Sequence, residues 1–462
     1  MAIVGGIMVP HPPLIVPEVG RGGESVIEET TASYKKAAEF IKELSPETIV
    51  LISPHSIMYS DYLHISPGSE AEGDLGRFNA PSVKFRREYD EELSTLLSDL
   101  SEREGIPAGF LGERDPSLDH GTMVPLYFIL KEYSDFKLVR TGISGISLKD
   151  HYRFGMLINR AASELGRRVA IVASGDLSHK LKEDGPYGFA PEGPLYDEKI
   201  MDVMGRAAFD ELLDFDPVLL EKSAECGHRS FVVMGGAFDG LSVKTTKYSH
   251  QDVTGVGYGI CTYEVTGEDP SRLLLAKYEN REQERLAARK ASEDAYVSLA
   301  RKTIETYIRD KHLIDVPKDL PREMYEIRAG AFVSLHIKGE LRGCIGTIAP
   351  TEDCVAKEII HNAVSASTKD PRFDPVRANE LELLEYSVDV LGEAEDIDSP
   401  DLLDVKRYGV IVTKGYKRGL LLPDLEGVDT VDEQIAIAKR KAGISVDDKD
   451  VKLQRFEVIR HY

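Results

Sequence analysis

The sequence contains no tryptophan, few cysteines, and too few basic residues to balance its acids. Its 4 cysteines, Cys226, Cys261, Cys344 and Cys354, form no Cys-x-x-Cys pair, which excludes a disulfide framework and favours a reducing compartment. With 57 basic against 79 acidic residues, the formal net charge of −22 argues against nucleic-acid binding and against docking on an anionic membrane. No apolar run approaches the roughly 20 residues of a membrane-spanning helix. We therefore expect a cytoplasmic protein whose partners include neither nucleic acid nor membrane.

The remaining pattern predicts an α/β protein of more than one domain. A length of 462 residues suggests two or three domains at about 150 residues each. In the first half, short apolar runs (2–9, 48–53, 168–174) alternate with amphipathic helical patterns, which predicts a layered domain whose mostly parallel or mixed sheet is flanked by helices. A charged, helical linker then leads into a smaller α+β domain. The predicted domains are 1–268 and 283–462.

Histidines follow three of the apolar runs. His11 occurs in VPH, His55 in SPHS and His179 in SGDLSH, while His120 in DHG precedes a helical pattern. Ligands of open α/β sheets bind beyond the carboxyl ends of the strands. We therefore expect these histidines, although distant in sequence, to share one site.

Two histidines and a carboxylate form the facial triad that binds Fe(II) and leaves positions open for substrate and O₂. Glu225, in AECGH before an apolar helix, is the candidate carboxylate. Its structural alternative is a favourable position near a helix N-terminus. Cys226 is a rival ligand, because thiolates bind zinc, copper and iron. The sequence leaves both open.

The motifs VPHPPL, SPHS, LDHG, SGDLSH and the Glu225 segment together resemble the class III extradiol dioxygenases, the LigB-like family, and more distantly the Memo proteins. The resemblance covers residues 1–265. It implies metal ligation by His11, His55 and Glu225, an acid–base role for His179, and contact of His120 with substrate and oxygen. Fe(II) is the implied metal, with zinc or copper as alternatives. Asp119 and Asp176 either orient these rings or cap loops.

The second half contains LRGCIGT (341–347), DPRF (370–373) and LLP (421–423), which resemble an AMMECR-type domain over residues 285–462. The activity of that family is not established, so the resemblance implies a fold. Cys344 is interpreted either as a nucleophile near Arg342 or, preferably, as a small residue packed within a strand. Arg342 and Arg372 would bind an anion or pair with internal acids such as Asp370.

The leading hypothesis is a non-heme iron dioxygenase-like enzyme, acting on a small-molecule or protein substrate. Together the two resemblances imply a component of an AmmeMemoRadiSam-type system with a radical-SAM partner, and a homo-oligomer is compatible with the sequence. The alternatives are a non-catalytic metal- or partner-binding protein and a zinc- or copper-dependent hydrolase-like enzyme. The sequence has no G-x-S-x-G elbow, which argues against Ser174 or Ser178 as a hydrolase nucleophile.

Overall fold

A computed structural model describes residues 2–113, 115–337, 339–425 and 427–462. The chain divides into two compact units, Met1–Asn280 and Arg281–Tyr462. The first unit is α/β and the second has an antiparallel sheet with helices, so the predicted fold class is confirmed. Among the described residues, no helix combines the length and apolar character needed to traverse a bilayer.

Among its described residues, the first unit has ten strands and most of nine helices. The strands are β1 Ile3–Val9, β2 Thr48–Ile52, β3 Leu63–His64, β4 Glu70–Leu75, β5 Ala80–Glu88, β6 Ala108–Gly109, β7 Lys137–Thr141, β8 Val169–Ser174, β9 Leu241–Gln251 and β10 Tyr258–Glu268. The helices are α1 Pro17–Gly20, α2 Glu28–Leu44, α3 Glu91–Arg103, α4 His120–Glu132, α5 Leu148–Glu164, α6 Glu192–Arg206, α7 Pro217–Ser223, α8 His228–Ala237 and α9 Leu274–Ser292, which continues into the second unit.

The central sheet has the strand order β7-β2-β8-β1-β10-β9. Strands β7, β2, β8 and β1 are parallel, whereas β10 and β9 pair antiparallel at one side. Every residue of β1, β2 and β8 is buried, as expected for parallel strands covered on both faces. The carboxyl ends of the parallel strands therefore meet at one edge of the sheet, which positions the residues that follow them.

Two hydrophobic cores lie on opposite faces of this sheet. Alternate residues of β2 enter different cores: Ile49 and Leu51 join one, Val50 and Ile52 the other. This alternation follows from the two-residue period of a strand. Helices α2 and α4 contribute to the first core, and α3, α5 and α8 to the second. The sheet is thus held rigidly between two helical layers.

The second unit contains a seven-stranded antiparallel sheet of order β12-β11-β13-β17-β15-β16, with β14 paired to β17. Its strands are β11 Ala331–Ile337, β12 Glu340–Gly346, β13 Glu385–Leu391, β14 Glu395–Ile397, β15 Tyr408–Lys414, β16 Lys417–Leu421 and β17 Lys452–His461. Its helices are α10 Ala295–Asp310, α11 Arg322–Glu326, α12 Val355–Thr368 and α13 Val431–Lys441. Apolar residues of α10 and α12 pack on β11 and β13, and α13 packs on β15 and β16.

Candidate metal centre

The histidines at the strand ends converge, as their positions after parallel strands predict. The Nε2 atoms of His11 and His55 lie 3.0 Å apart, and Sγ of Cys226 lies 3.6 Å from Nε2 of His11. The ligand atoms of these three residues all lie within 4.8 Å of one another. Two imidazole nitrogens and a sulfur at such spacing form a donor set suited to iron, zinc or copper.

Hydrogen bonds orient the His11 ring toward this group. The Ser174 hydroxyl donates its only proton to the carbonyl oxygen of Gly121 at 2.6 Å. It must therefore accept from Nδ1 of His11, which lies 2.9 Å away. His11 then carries its proton on Nδ1, and the lone pair of Nε2 faces His55 and Cys226. Such fixing of the tautomer by an outer hydrogen bond is typical of metal-ligating histidines.

His55 and His120 share a second set of hydrogen bonds. The Ser53 hydroxyl donates to Oδ1 of Asp119 at 2.5 Å and accepts from the backbone N–H of His55 at 3.2 Å. Asp119 is also the N-cap of α4, whose first residue is His120. The rings of His55 and His120 are 4.1 Å apart between centroids. One aspartate therefore fixes the backbone that carries both histidines.

The turn that carries Glu225 and Cys226 docks on the SGDLSH loop backbone to backbone. A Cβ at Gly175 would lie 2.1 Å from Cα of Gly227, so only glycine fits there. Ala224, which ends α7, has a left-handed backbone with φ of 51°. This turn directs the Cys226 thiol to His11, whereas Oε2 of Glu225 accepts a 2.6 Å hydrogen bond from the backbone N–H of His228.

Glu225 thus occupies the helix-terminal position that is its structural alternative, and it belongs to neither group of converging ligand atoms among the described residues. Burial raises the pKa of Glu225 to about 7. Burial, together with the charges of Asp176 and Glu225, raises the pKa of the Cys226 thiol. A metal ion would offset this by stabilising the thiolate and releasing its proton.

His179 belongs to a second group of ligand atoms, with Asp176 and Cys226. Asp176 also accepts a 2.8 Å hydrogen bond from the backbone N–H of His11, and burial raises its pKa to about 7. Burial lowers the pKa of His179, and its Nδ1 has no hydrogen-bond partner among the described residues. The exposed ring of Tyr187 lies 5.0 Å from the His179 ring. His179 is therefore a neutral imidazole beside the converging ligands.

A cavity of about 620 Å³ opens beside His55 and His120. Phe78 covers the edge of His120, with the ring centroids 5.3 Å apart. Burial lowers the pKa of His120 to about 4, so this ring is neutral at pH 7. Charged side chains of both signs also line the cavity: Glu72, Asp74, Asp115, Asp119, Arg77, Lys84 and Arg140. The wall therefore offers charged groups to a hydrogen-bonding ligand.

Of the two cysteines in the second unit, Cys354 is buried, whereas Cys344 is less enclosed than the preferred interpretation expects. Cys344 lies on the edge strand β12 and is half-buried rather than enclosed, with Ser334 donating a hydrogen bond to its sulfur. Arg372 pairs with Asp370, and Arg342 pairs with Glu380. The two arginines are therefore partnered by internal acids, which was the second of the two roles expected for them.

Sequence reasoning did not identify the residues that orient the ligands. The sequence around Ser174 suggests at most a hydrolase nucleophile, which the missing elbow motif argues against, and no motif points to Ser53 or Arg140. Ser174 is fully buried at the end of β8, beside the glycine of the SGD motif. A hydroxyl at the carboxyl end of a buried parallel strand was the available signal.

Comparison with known proteins gives family matches for both units. Residues 5–261 match the catalytic LigB subunit of aromatic ring-opening dioxygenase, and residues 297–461 match AMMECR1. Protein CA_C1420 of Clostridium acetobutylicum is 40% identical over 100% of this chain and 99% of its own length. A Thermotoga maritima protein is 51% identical over 37% of this chain and 98% of its own. The crystal structure of the uncharacterized protein PH0010 from Pyrococcus horikoshii aligns at 36% identity and a TM-score of 0.34, covering 36% of this chain and 88% of that one.

Proposed function

The chain belongs to the family of the catalytic LigB subunit of aromatic ring-opening dioxygenase over residues 5–261, joined to an AMMECR1 domain over residues 297–461, and we propose that its first unit is a metal-dependent, dioxygenase-like enzyme. The observation that carries the proposal is the convergence of His11, His55 and Cys226. In this proposal the metal ligands are these three residues, and Cys226 replaces Glu225 as the third ligand.

The donor set fits the metal in charge as well as in distance. His11 is oriented with its Nε2 lone pair inward, and burial lowers the pKa of both His11 and His55, so both rings are neutral ligands at pH 7. We propose Fe(II) as the metal, which when bound would supply the activation of O₂ that ring-opening dioxygenases require. The thiol of Cys226 would become the single anionic ligand.

The remaining histidines would act on the substrate. His179, whose pKa is lowered by burial so that its ring is neutral at pH 7, would accept a proton from a substrate hydroxyl and later return it. His120, on the cavity side, would donate a hydrogen bond to oxygen and stabilise developing negative charge. These roles for His179 and His120 are the ones that the sequence resemblance implies.

The charges of the cavity wall indicate which class of substrate it would accept. Its carboxylates, Glu72, Asp74, Asp115 and Asp119, outnumber its cations, Arg77, Lys84 and Arg140. An anionic aromatic acid would meet this excess of negative charge. We therefore propose a neutral, hydrogen-bonding substrate, either a small catechol-like molecule or a side chain of a protein. The radical-SAM partner, the cytoplasmic location and a homo-oligomer stay predictions from the sequence.

One observation favours a second candidate function. Zinc and copper bind thiolate ligands well, whereas the facial triad of Fe(II) enzymes uses a carboxylate. With Cys226 in place of Glu225, a zinc- or copper-dependent hydrolase-like enzyme becomes the alternative. Zinc or copper without oxygen consumption would support it.

The test is metal analysis of anaerobically purified protein, followed by oxygen uptake with a panel of neutral and anionic catechols. We expect about one iron per chain and uptake with neutral catechols. The variants His11→Ala and Cys226→Ser should lose the metal, whereas Glu225→Gln should retain it. Metal retained in His11→Ala, or lost in Glu225→Gln but not in Cys226→Ser, would contradict the ligand assignment.

A further inference from the structure

Arg140, near the end of β7, is a buried cation next to the candidate metal centre. Only 2% of its surface is exposed. Its guanidinium donates to Oγ of Ser66 at 2.7 Å and to the carbonyl oxygen of Ser117 at 2.5 Å. It also lies 3.5 Å from a carboxylate oxygen of Glu113 and 3.8 Å from one of Asp119. Arg140 thus joins the end of its own strand to the segment that precedes α4.

Asp119 is the partner through which Arg140 reaches the histidines. Its Oδ1 accepts hydrogen bonds from the Ser53 hydroxyl at 2.5 Å and from the backbone N–H of Thr122 at 3.1 Å. Ser53 in turn accepts from the backbone N–H of His55. A displacement of Asp119 would therefore move the backbone of His55 and the first turn of α4 together.

A second branch leads from α4 to His11. Gly121 follows His120 in the first turn of α4, and a Cβ there would lie 2.4 Å from Oγ of Ser53. The carbonyl oxygen of Gly121 accepts from Ser174, which holds Nδ1 of His11. The positions of His11, His55 and His120 therefore all depend on the start of α4.

We propose that Arg140 is a positioning residue of the metal centre, which sets the spacing of His55 and His120 relative to His11 through Asp119. This inference rests on the proposed function, because it presumes that these histidines surround a metal. The geometry needs an arginine: a planar fork can hold Ser66, Ser117 and the acids at once, whereas the single ammonium of a lysine cannot. Burying the guanidinium costs desolvation free energy, which these hydrogen bonds and ion pairs offset only while the arginine keeps all of its partners.

The experiment measures binding of cobalt(II) to the metal-free full-length protein, using the absorption bands of bound cobalt. Arg140→Lys keeps the charge but loses the fork. We expect it to remain folded by circular dichroism, to bind cobalt(II) about tenfold or more weakly, and to show shifted ligand-field bands. The control is Arg272→Lys, because Arg272 lies in the same unit and also holds two chain segments together, through hydrogen bonds to the backbone carbonyls of Leu241 and Ala207. It should leave the affinity and the bands unchanged.

A double-mutant cycle with Asp119→Asn tests the route. If Arg140 acts through Asp119, the double variant should bind cobalt(II) no more weakly than the weaker single variant, whereas independent effects would multiply. Wild-type affinity and bands in a folded Arg140→Lys would overturn the inference and leave the proposed function intact. If Arg140→Lys does not fold, wild-type binding by Asp119→Asn would overturn it equally. Wild-type protein that binds no cobalt(II) would overturn both.

Discussion

Three acidic side chains, Asp176, Glu225 and Cys226, are held beside two neutral histidines. Burial raises the pKa of Asp176 and of Glu225 to about 7 and raises that of the thiol further. Without a bound metal, ionisation of each group costs free energy, because burial removes the charged form from water. Ionisation becomes favourable once a metal is bound, because its positive charge stabilises the anions. We therefore expect metal binding to release protons from the acids of this site.

The variant Glu225→Gln tests whether the buried carboxyl group of Glu225 retains its proton in the folded protein. The folded-state pKa of about 7 lies above the unfolded value of about 4.3, so the folded protein retains a proton that the unfolded chain releases. Wild-type stability should therefore fall as pH rises from about 4.5 to 7, and the variant should lack this loss. We expect metal-free Glu225→Gln to match wild type near pH 5 and to exceed it by about 1–3 kcal/mol at pH 8.

The measurement is the denaturation midpoint of both proteins at the two pH values, after removal of metal with a chelator. The matched control is Glu198→Gln, because Glu198 is an exposed glutamate on α6 of the same unit. A difference between Glu225→Gln and wild type that does not grow with pH would contradict the prediction.

Among the elements, α8 fixes the position of Cys226, because the helix begins directly after Gly227. Its contact with α5 depends on glycine in both helices. A Cβ at Gly155 of α5 would lie 2.0 Å from the carbonyl oxygen of Val233, and one at Gly236 of α8 would lie 1.9 Å from that of Tyr152. The two helices therefore pack backbone against backbone, and any larger residue would push α8 outward.

Gly155→Ala should accordingly destabilise the first unit by about 1–3 kcal/mol through overpacking, although alanine favours a helix intrinsically. It should also weaken metal binding, because α8 and Cys226 would shift together. Gly267→Ala is the control, since a Cβ there meets no atom within 4 Å. Thermal denaturation and cobalt(II) titration of both variants provide the measurements. Equal stability of the two variants would show that the helix contact tolerates a methyl group.

Elements differ in how well the sequence predicts them. Strands β2 and β8 follow from continuous apolar runs over the expected ranges, and helices α2 and α5 follow from periodic apolar patterns. The hairpin of β4 and β5 does not, because every second residue of β4 is exposed, most residues of β5 are exposed or half-buried, and Gly73 interrupts the apolar alternation of β4. Yet the turn after β4 carries Phe78, which contacts His120. The cavity wall is thus built partly from an element without a strong local signal.

For the whole molecule, α9 is the segment that continues from one compact unit into the other. Of its nineteen residues, only Leu274 and Tyr278 are buried. A helix with so few buried side chains opens locally at low cost. The proposed domain division at 268–283 lies partly within it.

We therefore expect trypsin to cleave first within α9, at Lys277, Arg281, Arg285, Arg289 or Lys290, and to leave two folded fragments. Limited proteolysis with mass spectrometry would locate the first cuts, and circular dichroism of the separated fragments would test their folding. The fragment ending in α9 should retain the metal. First cuts inside either compact unit would contradict the proposed division.

The sequence by itself determined the α/β order of the first unit and placed His11, His55 and His179 at one sheet edge, because burial and strand periodicity are local properties. Only the tertiary structure shows that the Cys226 thiol faces His11 while the Glu225 carboxylate faces the backbone of His228, since neighbouring residues in a turn point in different directions. It alone revealed Ser174 and Arg140, whose partners lie 163 and 74 residues away in sequence. Such hydrogen bonds arise from packing distant segments together, and no local pattern specifies them.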